Sequence, residues 1–354
     1  MAVGAVPRPS VPGAISFAGP QDAPAIEELL DAVAGGKLTR IAFTMPAQAT
    51  WSLPVYELAV MAAVELRSRG VSGAELTVVT PEPEPLRIFG RAAGAAVRSM
   101  LAARGITLKT GARPIAMREG RLSLEGADAL AVDAVVALPE LRGPHIDGLP
   151  ADDRGFLPVD SHGRVPGMSG VYAAGDVTTF PIKQGGLATQ QADAAAAAIA
   201  SDVDARPEGP PFRPVLRGLL LTGGAPLYLR AELSKPSEPA TARTLRGEAS
   251  GRALWWPPGK VAGRYLAPYL ADARPVDLTA EPLVDRGAGR SADASDRDGA
   301  FELALLLAEE DAKVGDYRQA LHALDAAAAL SGGVVPDSWA QNRARWQHEL
   351  ARTG

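Results

Sequence analysis

Short apolar runs alternate with amphipathic stretches along residues 20–140. Three stretches repeat apolar side chains every three or four positions, at 22–33, 52–69 and 86–104, which predicts helices with one buried face. Mainly apolar runs of strand length lie between and after them, at 38–45, 75–80, 106–109 and 134–138. Buried strands that alternate with helices are typical of a parallel, doubly wound sheet, so we predict an α/β, Rossmann-like domain.

The middle of the chain has a different pattern. Residues 141–275 are rich in turns, and apolar runs at 215–221 and 227–233 predict two strands. Residues 281–298 consist largely of Gly, Ser, Asp and Arg, which predicts a disordered linker.

The pattern becomes helical from Ala300 onward. Two helices are predicted up to about Leu330, with a turn at Gly315-Asp316, and Pro336-Asp337 opens a third helix. The first two resemble a single tetratricopeptide-like hairpin. Because stacked repeats need about three units for stability, we interpret this hairpin as an appendage.

Composition excludes several classes of function. The 354 residues contain no Cys, which excludes thiolate catalysis, Cys-ligated metals and a redox disulfide. The four His are scattered without metal-ligand spacing, so no metal site is predicted. The net charge is −5 and no long basic run exists, which makes nucleic acid an unexpected partner. Neither a signal peptide nor an apolar run of about 18 residues is found. We therefore expect a cytoplasmic protein, for which peripheral attachment to a membrane stays open.

One segment points to a particular chemistry. The run 170–177 reads as a buried strand that ends in a tight Gly175-Asp176 turn, and Pro181-Ile182-Lys183-Gln184-Gly185-Gly186 then leads into an alanine-rich helix. The Asp176 carboxylate is suited to accept hydrogen bonds from the ribityl hydroxyls of a flavin. The free N–H groups of the helix N-terminus, near Gly186 and Leu187, suit the electron-rich edge of its ring. Lys183 is a candidate flavin contact or a solvated charge.

These residues resemble the FAD- and NAD(P)-dependent pyridine nucleotide-disulfide oxidoreductase superfamily, and within it the branch of type II NADH dehydrogenases and sulfide:quinone reductases. Gly175-Asp176 is similar to its second flavin motif, and Lys183-Gln184-Gly185-Gly186 to the segment beneath the flavin ring. Residues 2–13, with Gly4, resemble the end of its first FAD-binding segment. The resemblance implies FAD as cofactor and hydride transfer from NAD(P)H to the flavin, then to a quinone-like acceptor.

The chain also departs from the pattern of this superfamily. It contains no Gly-x-Gly-x-x-Gly motif, so we expect it to lack the N-terminal FAD-binding segment. The turn at 46–52, where the NAD(P) motif is expected, has no glycine. The resemblance assigns Glu57 to the nicotinamide–flavin region and makes it, with Lys183, a catalytic candidate. Glu82 could bind a ribose hydroxyl. Without cysteine, sulfide oxidation through thiols is excluded.

The resemblance and the composition together suggest five parts of the chain. We predict a remnant of the first FAD-binding segment at 1–19, an NAD(P)-binding-like domain at 20–140, the second FAD-binding segment with an interface region at 141–275, a linker at 276–298, and a helical hairpin at 299–354.

Three hypotheses about function stay open at this point. The chain is an FAD-dependent oxidoreductase, truncated or derived. Alternatively it is a non-catalytic interaction protein whose helical tail binds a protein partner, or a sensor that binds nicotinamide nucleotide. A homodimer, or a complementing flavoprotein segment, is a further possible partner.

Overall fold

The computed structural model describes residues 1–49, 51–204, 207–233, 245–272, 284–285, 299–313, 315, 317–330 and 337–353. The helices are α1 (Ala23–Ala34), α2 (Leu53–Ser68), α3 (Gly90–Ala102), α4 (Gly185–Asp204), α5 (Leu266–Asp272), α6 (Gly299–Lys313), α7 (Tyr317–Leu330) and α8 (Asp337–Thr353). The strands are β1 (Val6–Arg8), β2 (Ile15–Ser16), β3 (Arg40–Thr44), β4 (Glu75–Val79), β5 (Thr107–Lys109), β6 (Pro114–Arg118), β7 (Arg121–Leu124), β8 (Ala127–Ala131), β9 (Ala134–Ala137), β10 (Glu140–Arg142), β11 (Leu216–Leu220), β12 (Leu227–Leu233), β13 (Leu245–Ser250), β14 (Trp255–Trp256) and β15 (Val284–Asp285).

A parallel five-stranded sheet forms the centre of the first half, in the order β2-β9-β3-β4-β5. The chain runs outward from β3 through α2 to β4 and through α3 to β5, and then returns to β9 on the other side of β3. This is the strand order of one Rossmann half, whose ligands bind beyond the carboxyl ends of the strands. The predicted Rossmann-like α/β class is confirmed.

The two faces of this sheet are covered by different structures. Ile41 and Phe43 of β3 belong to the same buried cluster as side chains of α1, α2 and α3. Ala42, between them, points to the other face, because successive side chains of a strand alternate. There it packs with Leu122 and Leu124 of the antiparallel meander β6-β7-β8. Both faces of the sheet are therefore covered by apolar side chains, which explains why its strands are continuous apolar runs in the sequence.

The second half adds another sheet and the long helix α4. Strands β11, β12 and β13 form an antiparallel sheet that contacts α2, α3, α4 and α6. Strands β8 and β13 were not predicted, because the segments Ala-Asp-Ala-Leu-Ala and Leu-Arg-Gly-Glu-Ala-Ser contain few residues with strand preference.

The C-terminal helices pack on the body of the molecule. Leu305 and Ala308 of α6, Leu324 of α7 and Trp346 of α8 belong to the same buried cluster as the sheet residues. The hairpin α6–α7 is therefore part of the fold in this structure and not the appendage that the sequence suggested. The predicted linker at 281–298 lies outside the described residues, except for the two residues of β15.

The first residues of the chain also differ from expectation. Residues 1–5, whose small and apolar residues suggest the end of a buried strand, form no strand, and the first four of them are exposed. The N–H of Ala174 donates to the Met1 carbonyl over 2.9 Å, so this segment lies along the run that leads to Gly175. Strand formation starts only at β1, which pairs with β10.

Candidate functional site

The Gly175-Asp176 turn is fixed against the side of α4. The N–H of Gly175 donates to Oε1 of Gln191 over 2.7 Å, and the backbone of Gly175 has a φ of 83°, which favours glycine. A Cβ at this position would also approach that of Ala188 to 3.2 Å. The glycine therefore sets the direction in which the next residue, Asp176, presents its carboxylate.

Asp176 is half-buried, and its carboxylate lacks a partner. Among the described residues, no N–H or O–H group donates a hydrogen bond to it. Burial raises the pKa of Asp176, while the nearby charge of Lys183 acts in the opposite direction. A carboxylate withdrawn from water without donors is costly, so this side chain is set to receive hydroxyl or amide donors from a ligand.

Lys183 lies on the wall of the adjacent cavity. Its Nζ donates to the carbonyl oxygens of Phe180, over 2.8 Å, and of Thr178, and it lies 3.9 Å from the centre of the Phe156 ring. Burial lowers the pKa of Lys183 to about 7, since removal from water disfavours the ammonium form. Lys183 is thus a half-buried side chain whose ammonium group donates to backbone carbonyls.

The start of α4 is capped from within the chain. Oε1 of Gln184 accepts a hydrogen bond from the N–H of Leu187 over 2.8 Å, and its Nε2 donates to the carbonyl of Arg217 over 3.0 Å. The N–H of Leu187 is therefore already used, contrary to the role predicted for it at a flavin ring. Gly185 is exposed and Gly186 is buried beside the Gln184 side chain.

A cavity of about 250 Å³ opens beside Lys183. Its walls come from the crossover after β2, the turn before α2, the segment 138–141, the loop 152–156 and the segment that leads to α4. Three residues of α7, Gln319, His322 and Ala323, also line it. Aromatic rings of Phe17, Trp51 and Phe156 line it, so the cavity combines apolar walls with a few polar groups.

Arg154 is a second cation at this cavity. It donates from one terminal nitrogen to Oε1 of Gln319 over 3.2 Å and from the other to the carbonyl of Leu141 over 3.1 Å. Its buried Nε has no partner among the described residues. Burial lowers the pKa of Arg154. Neither Arg154 nor Phe156 could be selected from the sequence, because neither lies in the flavin-like motif.

His322 joins α7 to the same loop. Its Nδ1 lies 3.6 Å from the Asp153 carboxylate, and the neighbouring Asp152 accepts hydrogen bonds from the backbone N–H groups of Arg154 and Phe156, over 3.0 and 2.8 Å. Helix α7 is therefore connected to the loop that carries Arg154 and Phe156.

The two carboxylates assigned to nicotinamide nucleotide lie elsewhere. Glu57 is buried on α2 and forms an ion pair with Lys260. Glu82, beyond the end of β4, accepts hydrogen bonds from the Ser52 hydroxyl over 2.9 Å and from the Tyr56 phenol over 2.6 Å. Both of its carboxylate oxygens thus contact the first turn of α2 instead of open space.

Gly4, the remaining candidate, is exposed, and a Cβ added to it would contact no atom within 4 Å. Among the described residues, no neighbouring atom thus requires position 4 to be a glycine. No described helix is long and apolar enough to cross a membrane.

Comparisons with known proteins agree with this geometry. Residues 57–199 match the family model described as "Pyridine nucleotide-disulphide oxidoreductase". The sequence matches none of the curated proteins with which it was compared.

Solved structures resemble the fold at low sequence identity. The sulfide:quinone oxidoreductase of Aquifex aeolicus is 18% identical, with a TM-score of 0.62 over 83% of this chain and 76% of that one. Fdr9 is 20% identical, with a TM-score of 0.48 over 67% of this chain and 61% of that one. The reduced CoADR-RHD of Bacillus anthracis is 16% identical, with a TM-score of 0.45 over 65% of this chain and 41% of that one. The family match thus covers the part of the chain from α2 to α4, which contains most of the Rossmann-like sheet and the flavin-type turn, and these residues resemble the pyridine nucleotide-disulphide oxidoreductase superfamily.

Proposed function

We propose that this chain is a flavin-dependent oxidoreductase whose described residues hold the ribityl chain and the ring of the flavin. The observation that carries the proposal is the half-buried Asp176 carboxylate, which accepts no hydrogen bond from the described residues. Ribityl hydroxyls are donors of the required kind. Hydrogen bonds to a charged acceptor contribute about 1.5–3 kcal/mol each, enough to offset part of the cost of burying the carboxylate.

The adjacent cavity suits a planar ring that gains negative charge when reduced. Lys183 and Arg154 place two cations at its wall, and Phe156 and Trp51 supply apolar surface. The bound flavin would accept and donate electrons. The chain would hold it, exclude water and stabilise its negative charge through the Lys183 ammonium.

A quinone-like molecule is the proposed electron acceptor. The cavity walls are largely apolar, which suits an uncharged aromatic acceptor, and a fold relative of low identity is named a sulfide:quinone oxidoreductase. These 354 residues contain no cysteine, so they supply no disulfide that sulfide could attack and reduce.

Replacing Asp176 with alanine tests the proposal. Loss of the carboxylate is expected to weaken binding of both FAD and riboflavin at least tenfold, because both contain the ribityl chain and tenfold corresponds to about 1.4 kcal/mol. Flavin fluorescence quenching, measured for the purified chain with each ligand, gives the affinities.

The matched control is Asp128→Ala, which removes an exposed carboxylate from β8. This variant should bind flavins like the unchanged chain. An unchanged chain that binds neither flavin, or a D176A variant with undiminished affinity, would contradict the proposal.

A further inference from the structure

The part of the crevice where a Rossmann domain binds the phosphates of a nucleotide is occupied here by the chain's own side chain. These phosphates normally lie against the turn after the first strand and the N-terminus of the following helix, here β3 and α2. Glu82 reaches this helix end from the neighbouring strand. Its two oxygens accept the hydroxyl hydrogens of Ser52, the residue before α2, and of Tyr56, one turn later.

Charge and hydrogen bonds keep Glu82 in this place. A carboxylate at a helix N-terminus is stabilised by the helix dipole, as a phosphate would be. Burial raises the pKa of Glu82, and its hydrogen bonds from Tyr56 and Ser52 oppose that rise. A pyrophosphate brought to the same place would meet a fixed negative charge and hydroxyl groups that already have an acceptor.

The space left beside Glu82 is small. The cavity there measures about 70 Å³, whereas pockets for drug-sized ligands and cofactors measure about 300–1,000 Å³. Leu307 and Asp311 of α6 and Gln319 of α7 close it. Nε2 of Gln319 donates to the carbonyl of Gln48, in the turn before α2, over 2.8 Å, and Asp311 forms an ion pair with Arg87.

We infer that Glu82, together with the α6–α7 hairpin above it, excludes NADH and NADPH from this crevice. The residues do not fit a nicotinamide dinucleotide: the hydroxyl groups at the helix end already donate to Glu82, the Arg87 guanidinium on the cavity wall already pairs with Asp311, and the volume is too small. Glu82 is thus a specificity residue that acts against the nucleotide, not a ligand for its ribose. The site therefore admits a reductant that has no pyrophosphate group and that can enter the larger cavity.

Titration calorimetry on the full chain tests this inference, with inorganic pyrophosphate, NADH and NADPH as probes. The unchanged chain should show no saturable binding up to about 1 mM, which corresponds to a free energy weaker than about −4 kcal/mol. Glu82→Ala should bind pyrophosphate at least tenfold more tightly than this limit, because it frees the helix end and removes the charge. Glu84→Ala is the matched control, because this glutamate is exposed and pairs with Arg98 at the surface. The variant should show the same absence of binding as the unchanged chain.

Two outcomes overturn the inference. One is saturable binding of NADH or NADPH by the unchanged chain with a Kd below about 1 mM, which corresponds to a free energy more favourable than about −4 kcal/mol. The other is a folded Glu82→Ala variant that gains no pyrophosphate binding. If the alanine variant does not fold, Glu82→Gln, which keeps the size and removes the charge, takes its place under the same criterion. Flavin is not a probe here, so failure of flavin binding leaves this test intact.

Discussion

Gly143→Ala is expected to destabilise the protein by about 3 kcal/mol or more, a large part of the 5–15 kcal/mol that typical domains possess. A Cβ at Gly143 would lie 1.9 Å from the carbonyl oxygen of Gly155 and 2.3 Å from the backbone nitrogen of Phe156. Backbone atoms cannot turn away as a side chain would. The two segments must therefore separate. This movement breaks the hydrogen bond of 2.8 Å from the N–H of Gly143 to the Arg154 carbonyl.

The same separation should reach the cavity, since the loop that would move carries Arg154 and Phe156. Urea unfolding measures the loss of stability. Gly73→Ala is the control, because a Cβ there meets nothing within 4 Å and its φ lies outside the left-handed region, so its effect should stay within about 1 kcal/mol. Equal stabilities of the two variants would show that the close backbone crossing does not exist in solution.

The parallel sheet could be predicted from the sequence because its signal is local. Each buried strand is a short apolar run, and each helix repeats its apolar positions within a dozen residues, so no long-range contact is needed to recognise them. Strands β8 and β13 are among those that escaped prediction, and their own residues favour other structures. They form because β7 and β12 offer them hydrogen-bonding edges, and that information lies outside their sequence.

The candidate site divides in the same way. Asp176 and Lys183 belong to one continuous motif, and both were selected from it. Arg154 precedes that motif in a loop without a signature, and His322 belongs to a helix more than a hundred residues later. The sequence also placed Glu82 correctly, at the end of the second strand of the Rossmann half. It could not show that the side chain turns toward Ser52, because that choice depends on what packs around it.

Lys183→Met is expected to remove a pH dependence of stability that the unchanged chain shows. The folded-state pKa of Lys183 is about 7, below its ordinary value of about 10.5. Between these two values the unfolded chain binds a proton that the folded chain does not, so the free energy of unfolding rises with pH. The contribution of one such group approaches about 1.4 kcal/mol per pH unit. Methionine keeps much of the side chain's length but cannot titrate, so this slope should disappear.

Urea unfolding at pH 7, 8 and 9 gives the slope of the unfolding free energy against pH for each protein. The difference between the slopes of Lys183→Met and the unchanged chain reports on Lys183, because the contributions of all other titrating groups cancel. Lys37→Met, which changes an exposed lysine, should keep the slope of the unchanged chain. A Lys183→Met variant with that same slope would mean that the ammonium stays solvated and charged. Lys183 would then not be the buried cation that titrates at the cavity wall, and the electrostatic part of the flavin proposal would rest on Arg154 alone.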